Sequence, residues 1–195
     1  MNTEFDRYSL FAKAVAFAAY AHDGQNRKGT ALPYIVHPME AAAIAATMTN
    51  DPEVLAAAVL HDVIEDCGIT EREIRVRFGR RVAQLVCAES EEKTEDAAAS
   101  WQKRKLQTVR RLVVAPKDVM ILALSDKLSN LRAIHRDLNA LGPTFWQRFN
   151  QTNPSMQHWY YASVCEALAP LSEYEAYKEF QKLIHDTFSP SAPAT

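Results

Sequence analysis

The stretch Asp51-Pro-Glu-Val-Leu-Ala-Ala-Ala-Val-Leu-His-Asp-Val-Ile-Glu-Asp66 decides the reading of this chain. It opens with a helix-start signal: Asp as N-cap, then Pro at the first helical position, where a missing N–H does no harm. Six apolar residues, Leu55 to Leu60, follow. The helix is therefore expected to be buried and to run to about Glu65, with Gly68 punctuating its end. Against that background the pair His61-Asp62 is out of place. A carboxylate beside a buried apolar run is costly unless it is paired, hydrogen-bonded or bound to a metal. Asp62 and Asp66 are four residues apart, as are His61 and Glu65, a spacing that makes helix neighbours. Carboxylates crowded at Asp62, Glu65 and Asp66 repel one another, and a cation resolves the conflict.

The same conflict recurs further along the chain. Val119-Met-Ile-Leu-Ala-Leu124 is apolar on every face, so the helix from Pro116 to about Leu138 is expected at the centre of the fold. Asp126 follows that run in mid-helix, with Asn130 one turn on. His37 stands just before Pro38 at another helix start, its ring at a helix terminus. His37, His61, Asp62 and Asp126 would supply two imidazoles and two carboxylates. That mixed N/O set suits Mn²⁺, Fe²⁺ or Zn²⁺, and open coordination positions suit hydrolysis. His22, His135, His158 and His185 have no carboxylate partner at useful spacing and are read as non-ligands.

The remaining segments agree on an all-α fold. Phe5–Ala21 shows apolar residues at helical spacing, and Asp23–Tyr34 reads as a polar loop. His37–Met48 is Ala-rich and opened by Pro38; Thr70-Glu-Arg-Glu73 is a capping box; Arg80–Ala88 is amphipathic. Glu89–Ala99, with Glu91, Glu92 and Lys93, is a loop or a frayed helix start, and Ser100–Val114 is helical. Asn153-Pro154 and a Ser172-Glu-Tyr-Glu175 capping box mark the last two helices. Only 5 of 195 residues are Gly and 30 are Ala, which favours helices over a Gly-rich phosphate loop. The sum is a single domain of about eight to ten helices over residues 1–188, with 189–195 a disordered tail.

Charge and cysteines narrow the class. Lys and Arg total 22 against 24 Asp and Glu, a net charge of -2, which argues against a sequence-independent nucleic-acid binder. Cys67, Cys87 and Cys165 form no C-x-x-C pair, and their odd number fits a reduced, cytoplasmic setting. The N-terminus has no basic-then-apolar signal pattern, and no apolar run reaches membrane-spanning length. No membrane partner is expected, and the oligomeric state, monomer or homodimer, stays open.

The ordered set His37, His61-Asp62 and Asp126 resembles the metal site of the HD phosphohydrolase superfamily. Four blocks make the resemblance more specific: Ala21-His-Asp-Gly-Gln-Asn-Arg-Lys28, Pro33-Tyr-Ile-Val-His-Pro38, Leu60-His-Asp-Val-Ile-Glu-Asp66 and Ser125-Asp-Lys-Leu-Ser-Asn-Leu-Arg132. In this order they are similar to the hydrolase domain of the RelA/SpoT-type alarmone enzymes. The likeness covers about residues 5–180 and leaves no room for a synthetase domain, which resembles the stand-alone small alarmone hydrolases. The segment Trp101-Gln-Lys-Arg-Lys105 is similar to those members too. Ser125 stands where the family often has Ala, and Cys67 where Thr is common; neither change removes a charge.

The resemblance implies an HD-domain helical bundle and Mn²⁺-dependent hydrolysis of (p)ppGpp, removing the 3′-pyrophosphate to leave GDP or GTP. It implies that His37, His61, Asp62 and Asp126 bind the metal, and that Glu65 and Asp66 orient or activate water. Arg27 and Lys28 would lie against the substrate, with Asn130 near ribose and phosphates. Taken alone, Arg27 and Lys28 also fit a solvated loop, and Arg104 and Lys105 fit either a phosphate contact or open water. Tyr160 or Tyr161 is placed in the core or against the base or ribose. The same ligands would serve an NADPH phosphatase or another HD-type nucleotide phosphohydrolase, and a catalytically inactive nucleotide sensor is the remaining alternative.

Overall fold

A computed structural model describes residues 9–90 and 100–189. Among these, ten α-helices and two short 3₁₀ segments, Gly142–Arg148 and Ala169–Leu171, account for nearly all regular structure. The helices are α1 Leu10–Ala21, α2 Val36–Ala45, α3 Pro52–Leu60, α4 Val63–Cys67, α5 Glu71–Phe78, α6 Arg80–Glu89, α7 Trp101–Val113, α8 Lys117–Leu141, α9 Pro154–Ala167 and α10 Glu175–Phe188. The all-α expectation holds. No helix among the described residues is long and apolar enough to cross a membrane.

Two apolar helices organise the rest. In α3, Val54 and Ala56–Leu60 are buried, and in α8 so is every residue from Met120 to Asp126. Helix α8 packs against α2, α3, α6 and α10, and α3 against α1, α2 and α6, so the two form the axis of the bundle. The starts follow the expected chemistry. Asp51 accepts from the Glu53 amide at 2.9 Å with Pro52 behind it, Thr70 and Glu73 form the reciprocal capping box, and Asn153 accepts from Ser155 N at 2.9 Å.

The structure corrects several boundaries. Helix α1 begins at Leu10 because Ser9 is extended and caps it; Phe5 to Tyr8 lie outside the described residues. The Ser172 capping box does not form: Ser172 is itself helical in conformation, Tyr174 is the extended residue, and α10 starts at Glu175. The chain there is turned by Leu171 O, which accepts from Tyr174 N at 3.0 Å. Glu91, Glu92, Lys93 and the 190–195 part of the expected tail also lie outside the described residues.

The largest correction falls on the deciding stretch. It is not one helix to Glu65 but two, α3 and α4, broken at His61-Asp62. Asp62 has φ -94 and ψ -6, in the bridge region at the edge of helical backbone space. The Ala58 carbonyl accepts from His61 Nδ1 at 2.8 Å, so a side chain takes up an acceptor at the break. The break turns both charged side chains away from regular helix faces and toward α2 and α8.

Candidate metal centre and its basic cavity

His37, from the first turn of α2, meets His61, from the α3–α4 junction, with their Nε2 atoms 3.2 Å apart. Asp126 reaches in from α8: its Oδ1 lies 3.1 Å from His37 Nε2 and 3.6 Å from His61 Nε2. One ligand atom from each of His37, His61 and Asp126 lies within 4.8 Å of the others, and all three residues are buried. Asp62 completes the ring, its Oδ2 3.0 Å from His61 Nε2 and 3.5 Å from His37 Nε2, while accepting from the Tyr34 hydroxyl at 2.7 Å. Residues scattered over α2, the α3–α4 break and α8 thus converge on one point, as their out-of-place charges foretold.

Hydrogen-bond direction shows how the donor set is oriented. The Ala58 carbonyl only accepts, so His61 Nδ1 carries a proton and its Nε2 is the nitrogen facing inward. Ser129 donates its hydroxyl to Glu40 Oε2 at 2.8 Å, so His37 Nδ1, 2.8 Å from Ser129 Oγ, must donate to it. Both imidazoles therefore point Nε2 at the carboxylates. Two such nitrogens and two carboxylates suit a divalent cation, with partners behind them fixing the rings.

The electrostatics agree. Burial alone would raise the Asp126 carboxyl, but Lys127 and the two imidazoles outweigh it and hold it well below the usual range. Burial would likewise raise Asp62, and His61 reverses the sign. His61 is raised well above an ordinary histidine because Asp62 and Asp126 overcome its burial, whereas burial wins at His37 and lowers it. Tyr34 is pushed up by burial and by Asp62, so it stays a neutral donor.

Beside the cluster opens a cavity of about 580 Å³. Among the described residues its wall carries seven basic side chains, Arg27, Lys28, Arg104, Lys105, Lys127, Arg136 and Arg148, against two acidic ones, Glu65 and Asp137. The expected substrate residues Arg27, Lys28, Asn130 and Tyr160 all line it, as does Glu65. Asp66 does not; it is exposed, and its carbonyl accepts from Gln25 Nε2 at 3.2 Å. Asn130 bridges the two regions, donating to Asp126 Oδ1 and accepting from Arg27 Nη2 at 2.9 Å.

The polar loop before α2 is more ordered than its composition suggested. Arg27 N donates to Leu32 O at 2.8 Å and Tyr34 N to Gln25 O at 2.9 Å, a short antiparallel pairing that aims Arg27 into the cavity. Gly29 lies at its tip with φ +73, and a Cβ there would sit 2.9 Å from Arg148 Cζ, so only glycine lets that guanidinium close against the loop. Tyr160 is buried, with Lys105 Nζ 4.9 Å over its ring, and its hydroxyl has no hydrogen-bond partner among the described residues.

Sequence reading missed Glu40, Ser129, Tyr34, Lys127 and Arg148. Tyr34, Ser129 and Lys127 sit inside the quoted blocks, but an isolated hydroxyl or lysine is indistinguishable there from a surface residue. Glu40 and Arg148 had no local signal at all.

Comparison with known proteins agrees with this geometry. A mouse (Mus musculus) protein named guanosine-3′,5′-bis(diphosphate) 3′-pyrophosphohydrolase MESH1 is 40% identical over 69% of this chain and 72% of its own length. A protein of Aquifex aeolicus named guanosine-3′,5′-bis(diphosphate) 3′-pyrophosphohydrolase is 38% identical over 63% of this chain, which spans only 17% of that longer relative. A solved structure described as a metazoan ortholog of SpoT that hydrolyzes ppGpp superimposes with a TM-score of 0.73, at 25% identity over 91% of this chain and 94% of that one. The crystal structure of lmo0812 from Listeria monocytogenes gives a TM-score of 0.71, at 29% identity over 79% of this chain and 99% of its own. The family described as HD domain matches residues 14–149, a span that contains all four converging side chains and the helices that carry them, and the chain belongs to that family.

Proposed function

We propose that this chain is a metal-dependent (p)ppGpp hydrolase that removes the 3′-pyrophosphate, giving GDP or GTP plus pyrophosphate, with Mn²⁺ as the metal. One observation carries the reading: a cavity walled, among the described residues, by seven basic and two acidic side chains abuts a cluster of two histidines and two aspartates. A polyphosphate fits the first region and a divalent cation the second. The names borne by the relatives point the same way.

In this reading His37, His61, Asp62 and Asp126 hold the cation, which when bound polarises a phosphoryl oxygen and acidifies water. Glu65, on the cavity wall, takes the proton of the attacking water. Asp66, one residue further, is exposed and does not line that wall. Arg27, Lys28, Lys105 and Arg148 neutralise the phosphates, the guanidiniums with paired N–H donors. Asn130, tied to both Asp126 and Arg27, keeps the scissile phosphate between metal and base. Tyr160 offers to the base or ribose a hydroxyl that is unmet among the described residues; a buried hydroxyl without a partner costs about 1–3 kcal/mol, which a bound ligand restores. The three free cysteines suit a reducing, cytoplasmic location.

The test is pyrophosphate release from ppGpp by the purified protein with Mn²⁺, then with EDTA. Metal-dependent release is expected. Its absence, with phosphate released from NADPH in a parallel assay, would keep the metal centre and replace the substrate.

A further inference from the structure

Behind His37 runs a chain of hydrogen bonds that leads to the other side of the bundle. His37 Nδ1 meets Ser129 Oγ at 2.8 Å, and Ser129 donates to Glu40 Oε2 at 2.8 Å. The other oxygen of the same carboxylate, Oε1, accepts from Arg132 Nη1 at 2.9 Å. Arg132 in turn grips Glu179 of α10 with two bonds of 2.7 Å, Nε to Oε1 and Nη2 to Oε2. His37 and Ser129 are buried, 3% and 1% exposed, while the Glu40, Arg132 and Glu179 side chains are each between a third and a half exposed.

We propose that Glu40 is a positioning residue that acts through Ser129 to hold His37 in its Nδ1–H tautomer, with Arg132 and the α10 residue Glu179 keeping Glu40 in register. The inference rests on the reading of His37 as a metal ligand. The direction of every bond follows from what each group can do. A guanidinium only donates and a carboxylate only accepts, so Glu40 must receive a proton from both Arg132 and Ser129. The Ser129 oxygen is thereby left to accept from His37 Nδ1. The imidazole then has one nitrogen without a proton, Nε2, and that nitrogen faces His61 and Asp126. Partners of this kind behind a ligating histidine set both its tautomer and its orientation.

An isosteric change should reverse the chain. In Glu40→Gln the amide oxygen stays against Arg132, because the guanidinium accepts nothing. The amide nitrogen is left facing Ser129 and can only donate to it. Ser129 then turns its own hydroxyl proton toward His37 Nδ1, and the imidazole proton moves to Nε2, the nitrogen the cation needs. Ser129→Ala breaks the chain without reversing it, and alanine suits a buried helix position.

Two measurements on Glu40→Gln, Ser129→Ala, His37→Ala and the parent test this. The first is ¹⁵N NMR of the His37 side chain in metal-free protein, which reports the protonated nitrogen without any metal. The parent should show Nδ1–H and Glu40→Gln should show Nε2–H. The second is Mn²⁺ titration by calorimetry, where Glu40→Gln and Ser129→Ala should bind roughly 10–100-fold more weakly and His37→Ala should lose the site. Unchanged tautomer and unchanged Mn²⁺ affinity in both Glu40→Gln and Ser129→Ala would overturn the relay while His37→Ala still upholds the ligand set. Parental Mn²⁺ binding by His37→Ala would overturn the ligand reading itself, and the positioning role with it.

Discussion

The two halves of the candidate site are built in opposite ways. The acidic half stands on buried helix: His37, His61 and Asp126 are 3%, 4% and 7% exposed, and each has a partner that fixes its direction. The basic half is spread over a loop, α7, α8 and a 3₁₀ segment, and Lys28 and Arg136 are exposed. A metal site gains from rigidity, because ligands misplaced by a fraction of an ångström lose affinity. A flexible polyanion is better met by long side chains that adapt, because most of their effect is charge. The halves should therefore fail differently when disturbed, the acidic one in turnover and the basic one in substrate affinity.

The harshest test of that difference is Asp126→Ala. It leaves two inward-facing imidazoles and frees Lys127, which pairs with Asp126. Turnover and Mn²⁺ binding should both vanish, measured by pyrophosphate release and calorimetry. Glu65→Ala comes next: kcat should fall by about 10²–10⁴-fold, while Mn²⁺ binding is retained, because Glu65 lines the cavity without belonging to the converging set. Parental kcat in that variant would remove Glu65 from the chemistry.

On the basic side, Arg148→Ala should raise KM by roughly tenfold, the worth of one charge-assisted hydrogen bond, with little change in kcat. Added salt should likewise raise KM more than it lowers kcat, since exposed charges are screened and buried ligands are not. Equal losses in kcat and KM would erase the distinction between the halves.

The smallest effect lies where the halves meet. Removal from water pushes the Glu89 carboxyl up to about 7; Lys127 pulls it down and Asp126 pushes it further up. The folded state thus prefers this group neutral. Its contribution is full below the ordinary glutamate value and is lost as pH rises through 7. Glu89→Gln should then be more stable than the parent near pH 9 and equal to it near pH 4, read by urea unfolding of metal-free protein.

What sequence reading recovered and what it missed divide along the same line. His61, Asp62 and Asp126 were visible because a charge next to an apolar helical run is a local contradiction. The expected helix through His61 was wrong for a related reason: periodicity sees apolar residues on both sides of the pair but not the Ala58 carbonyl taken by the imidazole. Arg104 and Lys105, ambiguous on an amphipathic helix, proved to line the cavity once α7 was packed. Arg148 was silent, since its role depends on the Gly29 turn far away in the chain.

By itself the sequence determined an all-helical domain, the helix starts at Asp51, Thr70 and Asn153, and the identities of the four convergent side chains, His37, His61, Asp62 and Asp126. Those are consequences of local rules: capping geometry, helical period, and the cost of charge in an apolar setting. Only the tertiary structure decided the break at His61-Asp62, the basic wall of the cavity, and the relay from Glu179 to His37. Each of these joins groups that no local pattern relates, as with Ser129 and Glu40, 89 residues apart. Hydrogen bonds and close-range charge depend on where side chains meet in space, and that is settled by how α2, α8 and α10 pack.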